Sequence, residues 1–251
     1  MLDPIKPEDK CDKRRSQLVE TSIEAPRDDR KKSGSQALTW FAGFGGAVND
    51  KGEFFMRNLE AGRYRLEIKL PTESWYVRAI NLTGAPLQPA PQPSPPGPPS
   101  GASPNQRNPW QGVVTLKVGE PVSRVSIEVG QDAASLRGRV ATSEEGTRIP
   151  ASWRVHLIPA DREQANHVLR YSEATVNSDS SFKFTNIAPG RYFIVSRVEP
   201  SVESDAAPRP AALDPTARAK LRREAELAKT EVELKPCQAV VDYRLKPSAA
   251  Q

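Results

Sequence analysis

The side chains with the strongest intrinsic chemistry are few and scattered. His156 and His167 are the only histidines among 251 residues. His156 alternates out of phase with Val155 and Leu157, turning it away from the face they bury, and His167 lies in a polar stretch. Neither has sequence neighbours at the spacing of a metal site or a catalytic triad. No Gly-x-Ser-x-Gly elbow occurs. Gly43-Phe44-Gly45-Gly46-Ala47 lacks the Lys-Ser/Thr ending of a phosphate loop and reads as a bent or bulged strand segment. Asn49, Asp50 and Glu53 offer oxygen atoms, too few for a calcium loop. Cys11 and Cys237 have no CxxC or Cys/His spacing, and each reads as a lone thiol unless a bridge brings their Cα atoms within about 7 Å. The sequence therefore predicts no catalytic, metal-binding or cofactor-binding residue.

Aromatic residues give the one positive hint of a binding face. Trp40 with Phe41, Trp75 with Tyr76, and Trp110 lie in or beside predicted loops. Flat rings exposed together stack on a sugar or a peptide, whereas the same rings turned inward complete a core. The candidate ligand surface is Trp40, Trp75, Tyr76 and Trp110. Arg63 and Arg191 each flank a glycine turn, where a guanidinium pairs with a carboxylate of the protein or of a ligand.

These residues are positioned by a segment that occurs twice. Phe54-Phe55-Met56-Arg57-Asn58-Leu59-Glu60-Ala61-Gly62-Arg63-Tyr64 reappears as Phe182-Lys183-Phe184-Thr185-Asn186-Ile187-Ala188-Pro189-Gly190-Arg191-Tyr192, at an offset of 128 positions. A second echo matches Val114-Thr115-Leu116-Lys117 to Val232-Glu233-Leu234-Lys235 at an offset of 118, and carries Val122, Val125 and Ile127 onto Val240, Tyr243 and Leu245. One fold unit is thus used twice, with ten residues fewer between the echoes in the second copy.

Strict alternation dominates. Val125, Ile127 and Val129, Leu136 to Val140, Arg154 to Leu157, Phe182 to Phe184 and Tyr192 to Val195 all have the two-residue period of strands. Asn49-Asp50-Lys51-Gly52 and Asn177-Ser178-Asp179-Ser180 are turns before the two Phe strands, and Ala61-Gly62 and Pro189-Gly190 are reversals after them. About seven short strands are expected between Ser135 and Lys246, the number of an immunoglobulin-like sandwich. In the motif, Phe182 and Phe184 bury one face, Asn186 bonds its own backbone to shape the turn, and Tyr192 returns to the core.

The fold class is all-β: two tandem immunoglobulin-like or transthyretin-like sandwiches spanning 14–131 and 132–247, meeting near Gly130-Gln131-Asp132-Ala133. Such a brief connection leaves them little freedom. In the first, 85–109 carries ten of the chain's 24 prolines and reads as a polyproline-type or disordered loop. In the second, the equivalent stretch holds a helix over 214–229, with Asp214 as N-cap and Pro215 at the first helical position. Ala217, Leu221, Ala225 and Ala228 form its buried stripe, leaving Arg222, Arg223, Glu226 and Lys229 to solvent. The first copy has no counterpart of the strand at Leu136; its earliest match is Leu18 to Asp28. It is expected to lack its opening strand, as in the C-terminal piece of a longer protein or a chain whose start lies further upstream.

The pattern of an Asp/Asn turn, Phe-x-Phe-x-Asn-Ile/Leu-x-Pro/Ala-Gly-Arg-Tyr and an alternating strand resembles the carboxypeptidase regulatory-like domain. The resemblance covers Ser135 to Lys246 well and Leu18 to Val129 more loosely. It implies a transthyretin-like sandwich grouped with carbohydrate-binding-like folds, found as tandem modules in bacterial envelope and secreted proteins and carrying no catalytic residues. It also implies a periplasmic, outer-envelope or extracellular location, although Met1 to Lys10 has no apolar core of a signal peptide and no run is long enough to span a bilayer. The net charge of +5 mixes 36 basic with 31 acidic residues, and Glu224 and Glu226 interrupt the basic helix, so no nucleic-acid partner is expected. The function expected is a non-catalytic structural or interaction module of an exported bacterial protein; the alternative is a carbohydrate-binding module using the four aromatics.

Overall fold

A computed structural model of the chain describes residues 20–25, 45–82, 113–118, 125–141, 149–150, 152–199 and 211–246. The proline-rich stretch 85–109, Cys11, Trp40 and Trp110 lie outside the described residues.

Seven strands build the second half: β8 (Ala134–Val140), β9 (Trp153–Pro159), β10 (Ser172–Thr175), β11 (Ser181–Ile187), β12 (Gly190–Val198), β13 (Glu231–Leu234) and β14 (Ala239–Leu245). They form a four-stranded sheet, β10-β9-β12-β13, and a three-stranded sheet, β11-β8-β14, in which β14 runs parallel to β8. The expected alternation is explicit in β8, where Ala134, Leu136, Gly138 and Val140 are buried and Ser135, Arg137 and Arg139 between them are not. Leu136, Val155, Leu157, Phe182, Phe184, Tyr192 and Ile194 meet between the sheets. The rings of Phe182 and Phe184 contact edge to face, with centroids 5.9 Å apart.

Both faces of β9 are buried because the helix α1 (Pro215–Ala228) covers the outer one. Asp214 caps it as expected, its carboxylate accepting from Thr216 N and Ala217 N, and Lys229 ends it in the left-handed conformation. Leu221 and Ala225 pack on Ile158, Phe193 and Val195. The expected stripe is only half right: Ala228 is exposed, while Arg222 is turned inward and donates to the carbonyls of Pro159 and Ala160. The strand end beneath the helix presents two carbonyls that a long cation satisfies better than a methyl group.

The first half contains β1 (Ser22–Glu24), β2 (Gly45–Ala47), β3 (Gly62–Arg65), β4 (Glu67–Lys69), β5 (Tyr76–Leu82), β6 (Val113–Leu116) and β7 (Val125–Gly130). Its sheets are β2-β1-β4, β3-β6 and β5-β7, so β1 to β7 pair among themselves and β8 to β14 among themselves. The repeat holds at atomic level. Gly62 faces Leu116 and Tyr64 faces Val114, as Gly190 faces Leu234 and Tyr192 faces Val232. Asn58 and Asn186 have φ of 60° and 58°. The Tyr64 hydroxyl donates to the Glu60 carbonyl at 2.9 Å and that of Tyr192 to the Ala188 carbonyl at 2.6 Å. The turns before the motif close alike, Asn49 N on Glu53 O and Asn177 N on Ser181 O.

One expectation fails. Phe54-Phe55 was expected to be a strand like Phe182 to Phe184, yet residues 53–57 are not a strand and Phe55 is 66% exposed. β11 gains its ladder from β8; among the described residues the first copy has no strand beside Phe54 to make the equivalent ladder. Its closing strand β7 pairs instead with β5, antiparallel.

Gly138 sits at a tight point of the second unit: a Cβ there would stand 2.3 Å from the Tyr243 carbonyl oxygen and 2.8 Å from the Phe182 ring. Gly138→Ala is expected to lower stability by about 1–3 kcal/mol, the range for overpacking a filled interior, by prying β14 from β8. An unchanged urea midpoint would contradict this packing.

Candidate functional site

The aromatics Trp75 and Tyr76 do not form an open face. They belong to the segment 72–76, which lies against the β11–β12 corner of the second unit. Asn186 was expected from the sequence to bond its own backbone; instead its amide Nδ2 donates to the carbonyls of Thr72 at 2.8 Å and Trp75 at 2.7 Å. The left-handed backbone of Asn186 aims the amide outward, across the junction. Glu73 pairs with Lys183 and lies 3.7 Å from Arg137, and Ala133 N donates to the Ser74 carbonyl.

Tyr76 is only 5% exposed and packs against Ala133 and Ala188. Burial, then the charge of Asp132, pushes its hydroxyl above the usual phenol range. A Cβ on Gly130 would come within 2.5 Å of the Tyr76 ring, so the ring occupies the space that a side chain would need. Trp75 is half-buried, and its indole Nε1 is enclosed without a hydrogen-bond partner. A stacking platform needs open ring faces, and Tyr76 has none to offer. Of the four sequence-predicted residues, the structure places Trp75 and Tyr76 together in this junction; Trp40 and Trp110 lie outside the described residues.

Cys237 is disulfide-bonded; Cys11, the only other cysteine in the sequence, lies outside the described residues. The backbone N–H of Cys237 donates to the Asp132 carbonyl, in the connection between β7 and β8. Arg191 finds its carboxylate in Asp161, at 2.6 Å on the surface. The side-chain oxygen of Asn49 accepts from the backbone of Lys51 and Glu53, so it shapes the turn.

The second constellation surrounds His156. Sequence alternation set it on the face away from the core, and that direction is right, but the helix-covered face is buried and His156 is 2% exposed. The expectation that it has no partner set is corrected by strand pairing. Glu173 of β10 stands directly opposite His156 of β9, and Glu199 follows β12 on the other side. His156 Nδ1 lies 3.9 Å from Glu173 Oε2, and its Nε2 lies 3.5 Å from Glu199 Oε1 without a hydrogen bond. Arg197 bonds Glu199 at 2.8 Å and reaches Glu224 of α1 at 3.3 Å, while Arg154 stands 3.5 Å from Glu173. A spacing rule along the chain could not find this group, because the three residues are joined across strands. His167 remains apart, its Nδ1 enclosed without a partner; burial and then Arg170 lower its affinity for a proton.

No protein-family model matches the sequence, and no curated protein matches it. Among solved structures, the chain is similar to GBS52, the minor pilin of the Gram-positive pathogen Streptococcus agalactiae, with 9% identity, a TM-score of 0.24 and coverage of 92% of this chain and 84% of that one. It is also similar to the Bacillus anthracis TIE protein, with 12% identity, a TM-score of 0.25 and coverage of 90% of this chain but 34% of that one.

The carboxyl of Glu199 is held down to about 2, first by the His156 imidazole and further by Arg197, with burial opposing. A depressed carboxylate stabilises the fold above its unfolded value of about 4.5, and the contribution is lost as pH falls towards 2. The urea midpoint of the wild type is therefore expected to drop more steeply across that window than that of Glu199→Gln. Parallel profiles would contradict the pairing.

Proposed function

We propose that the chain is a non-catalytic structural module, in which two sandwich units, 14–131 and 132–247, are held at a fixed angle as a spacer or interaction element of an exported bacterial protein of carboxypeptidase regulatory-like type. The observation that carries this reading is the spending of Asn186: the motif's own turn residue donates both its amide hydrogens to the segment 72–76 of the other unit. The proposed boundary is supported by the division of strand pairing between β7 and β8. Location outside the cytoplasm rests on the family resemblance alone; among the described residues no helix is long and apolar enough to cross a membrane. The carbohydrate-binding alternative needed Trp75 and Tyr76 in solvent together, and the burial of Tyr76 removes half of that pair.

Asn186→Gly retains the left-handed conformation while removing both bonds across the junction, which separates the loss of contact from backbone strain. Two such bonds contribute about 1–3 kcal/mol together. The wild type is expected to melt in one cooperative transition and the variant in two, the first at lower temperature. Identical single transitions would count against the locked junction. In affinity electrophoresis through gels carrying soluble polysaccharides, unretarded migration is expected; retardation abolished by Trp75→Ala would favour the sugar-binding reading instead.

A further inference from the structure

The outer face of the sheet β10-β9-β12-β13 is apolar where α1 lies on it and polar just beyond, where His156, Glu173 and Glu199 converge. One donor atom from each lies within 4.8 Å of the others. A small cavity of about 50 Å³ opens on the Glu173 side of the group, lined by His156, Tyr171, Ser172, Glu173, Ala212 and Leu221. It is large enough for a water molecule.

We propose that His156, Glu173 and Glu199 form a binding site for a divalent transition metal of the class to which Zn²⁺ belongs. The argument starts from the buried imidazole. His156 is 98% enclosed, with a side-chain exposure of 2%, and its Nε2 has no hydrogen-bond partner. Buried polar atoms in folded proteins are ordinarily satisfied, whereas this nitrogen faces a carboxylate without a hydrogen bond to it; a cation shared between the two, with Nε2 deprotonated, would satisfy both. In a tetrahedral site with bonds near 2.0–2.2 Å, ligand atoms stand roughly 3.3–3.5 Å apart. Nε2 and the Glu199 oxygen, 3.5 Å apart, are already at that separation. The nearest approach of Glu173 is to the other ring nitrogen, Nδ1, at 3.9 Å; on an edge strand and about one-third exposed, its side chain has room to turn towards the ion.

The donor set selects the class of ion. One imidazole and two carboxylates suit Zn²⁺ and its neighbours, with water completing the coordination from the cavity. Ca²⁺ and Mg²⁺ favour all-oxygen shells with more ligands, which this group lacks. The two arginines act as counter-charges. Arg197 bridges Glu199 and Glu224, so it keeps a partner when Glu199 turns to a metal. They also compete with the ion, which sets its affinity below that of a site whose carboxylates are unopposed.

The test uses the full chain. Co²⁺ added to the purified protein is expected to give the visible ligand-field absorption of a low-coordinate N/O site at one equivalent, and Zn²⁺ to abolish it by displacement. Calorimetric titration with Zn²⁺ is expected to show one site, weakened at least tenfold in Glu173→Gln and in Glu199→Gln and absent in His156→Gln. Because His156 is buried and its variant risks misfolding, the two glutamate variants, at side chains 31% exposed, decide the matter, each checked for an unchanged circular dichroism spectrum. No Co²⁺ spectrum and no Zn²⁺ binding by the wild type would overturn the proposal. Binding that survives unchanged in both glutamate variants would overturn it equally, by placing the metal elsewhere.

Discussion

The hydrogen bond from the Tyr192 hydroxyl to the Ala188 carbonyl, four residues back, fixes the corner on which the second unit depends. β11 belongs to one sheet and β12 to the other, so the chain must leave the first sheet and enter the second within the residues from Ile187 to Gly190. The buried phenol spans that crossing and satisfies a carbonyl that would otherwise be enclosed without a partner. Burial raises the phenol's hold on its proton, which keeps it a donor. With the corner fixed, Phe182 and Phe184 face Leu136 between the sheets, and Asn186 is left on the outside with its amide directed at the neighbouring unit.

Much of the fold was legible because it is written in local chemistry. The two-residue alternation marked β8 and β12, and Asp214-Pro215 marked the start of α1, since a cap and a preset φ act within one turn of helix. The repeated Asn, Gly and Tyr made both corners readable before any contact was known. The failures came where a neighbour decides. Phe54-Phe55 has the strand pattern without a ladder partner among the described residues, and Arg222 looks like a solvent residue until the carbonyls of Pro159 and Ala160 are placed beneath it. Tyr76 reads equally as a ligand platform or as packing, and only the approach of Ala133 and Ala188 decides between them.

The His156 group was illegible for the same reason. Residues 156, 173 and 199 share no periodic relation, and they meet because β9 pairs with β10 on one side and β12 on the other. The helix then encloses a position that alternation alone assigns to the outer face. Charge placement completes the arrangement: Arg154 stands beside Glu173 and Arg197 pairs with Glu199, and Glu224 ties the group to α1. Desolvating so many charges contributes little net stability, while leaving one unpaired would cost far more. The same polar end that helps position the helix therefore supplies the donor atoms of the proposed metal site.

In the proposed reading the junction and the corner are one device: the motif that carries the β11–β12 corner also bonds segment 72–76 through Asn186. Amide residual dipolar couplings of the full chain in a weakly aligning medium test that claim most directly. The account predicts that couplings from β3 to β7 and from β8 to β14 fit a single alignment tensor. Two tensors of different magnitude or orientation would mean that the units move independently, and would contradict it.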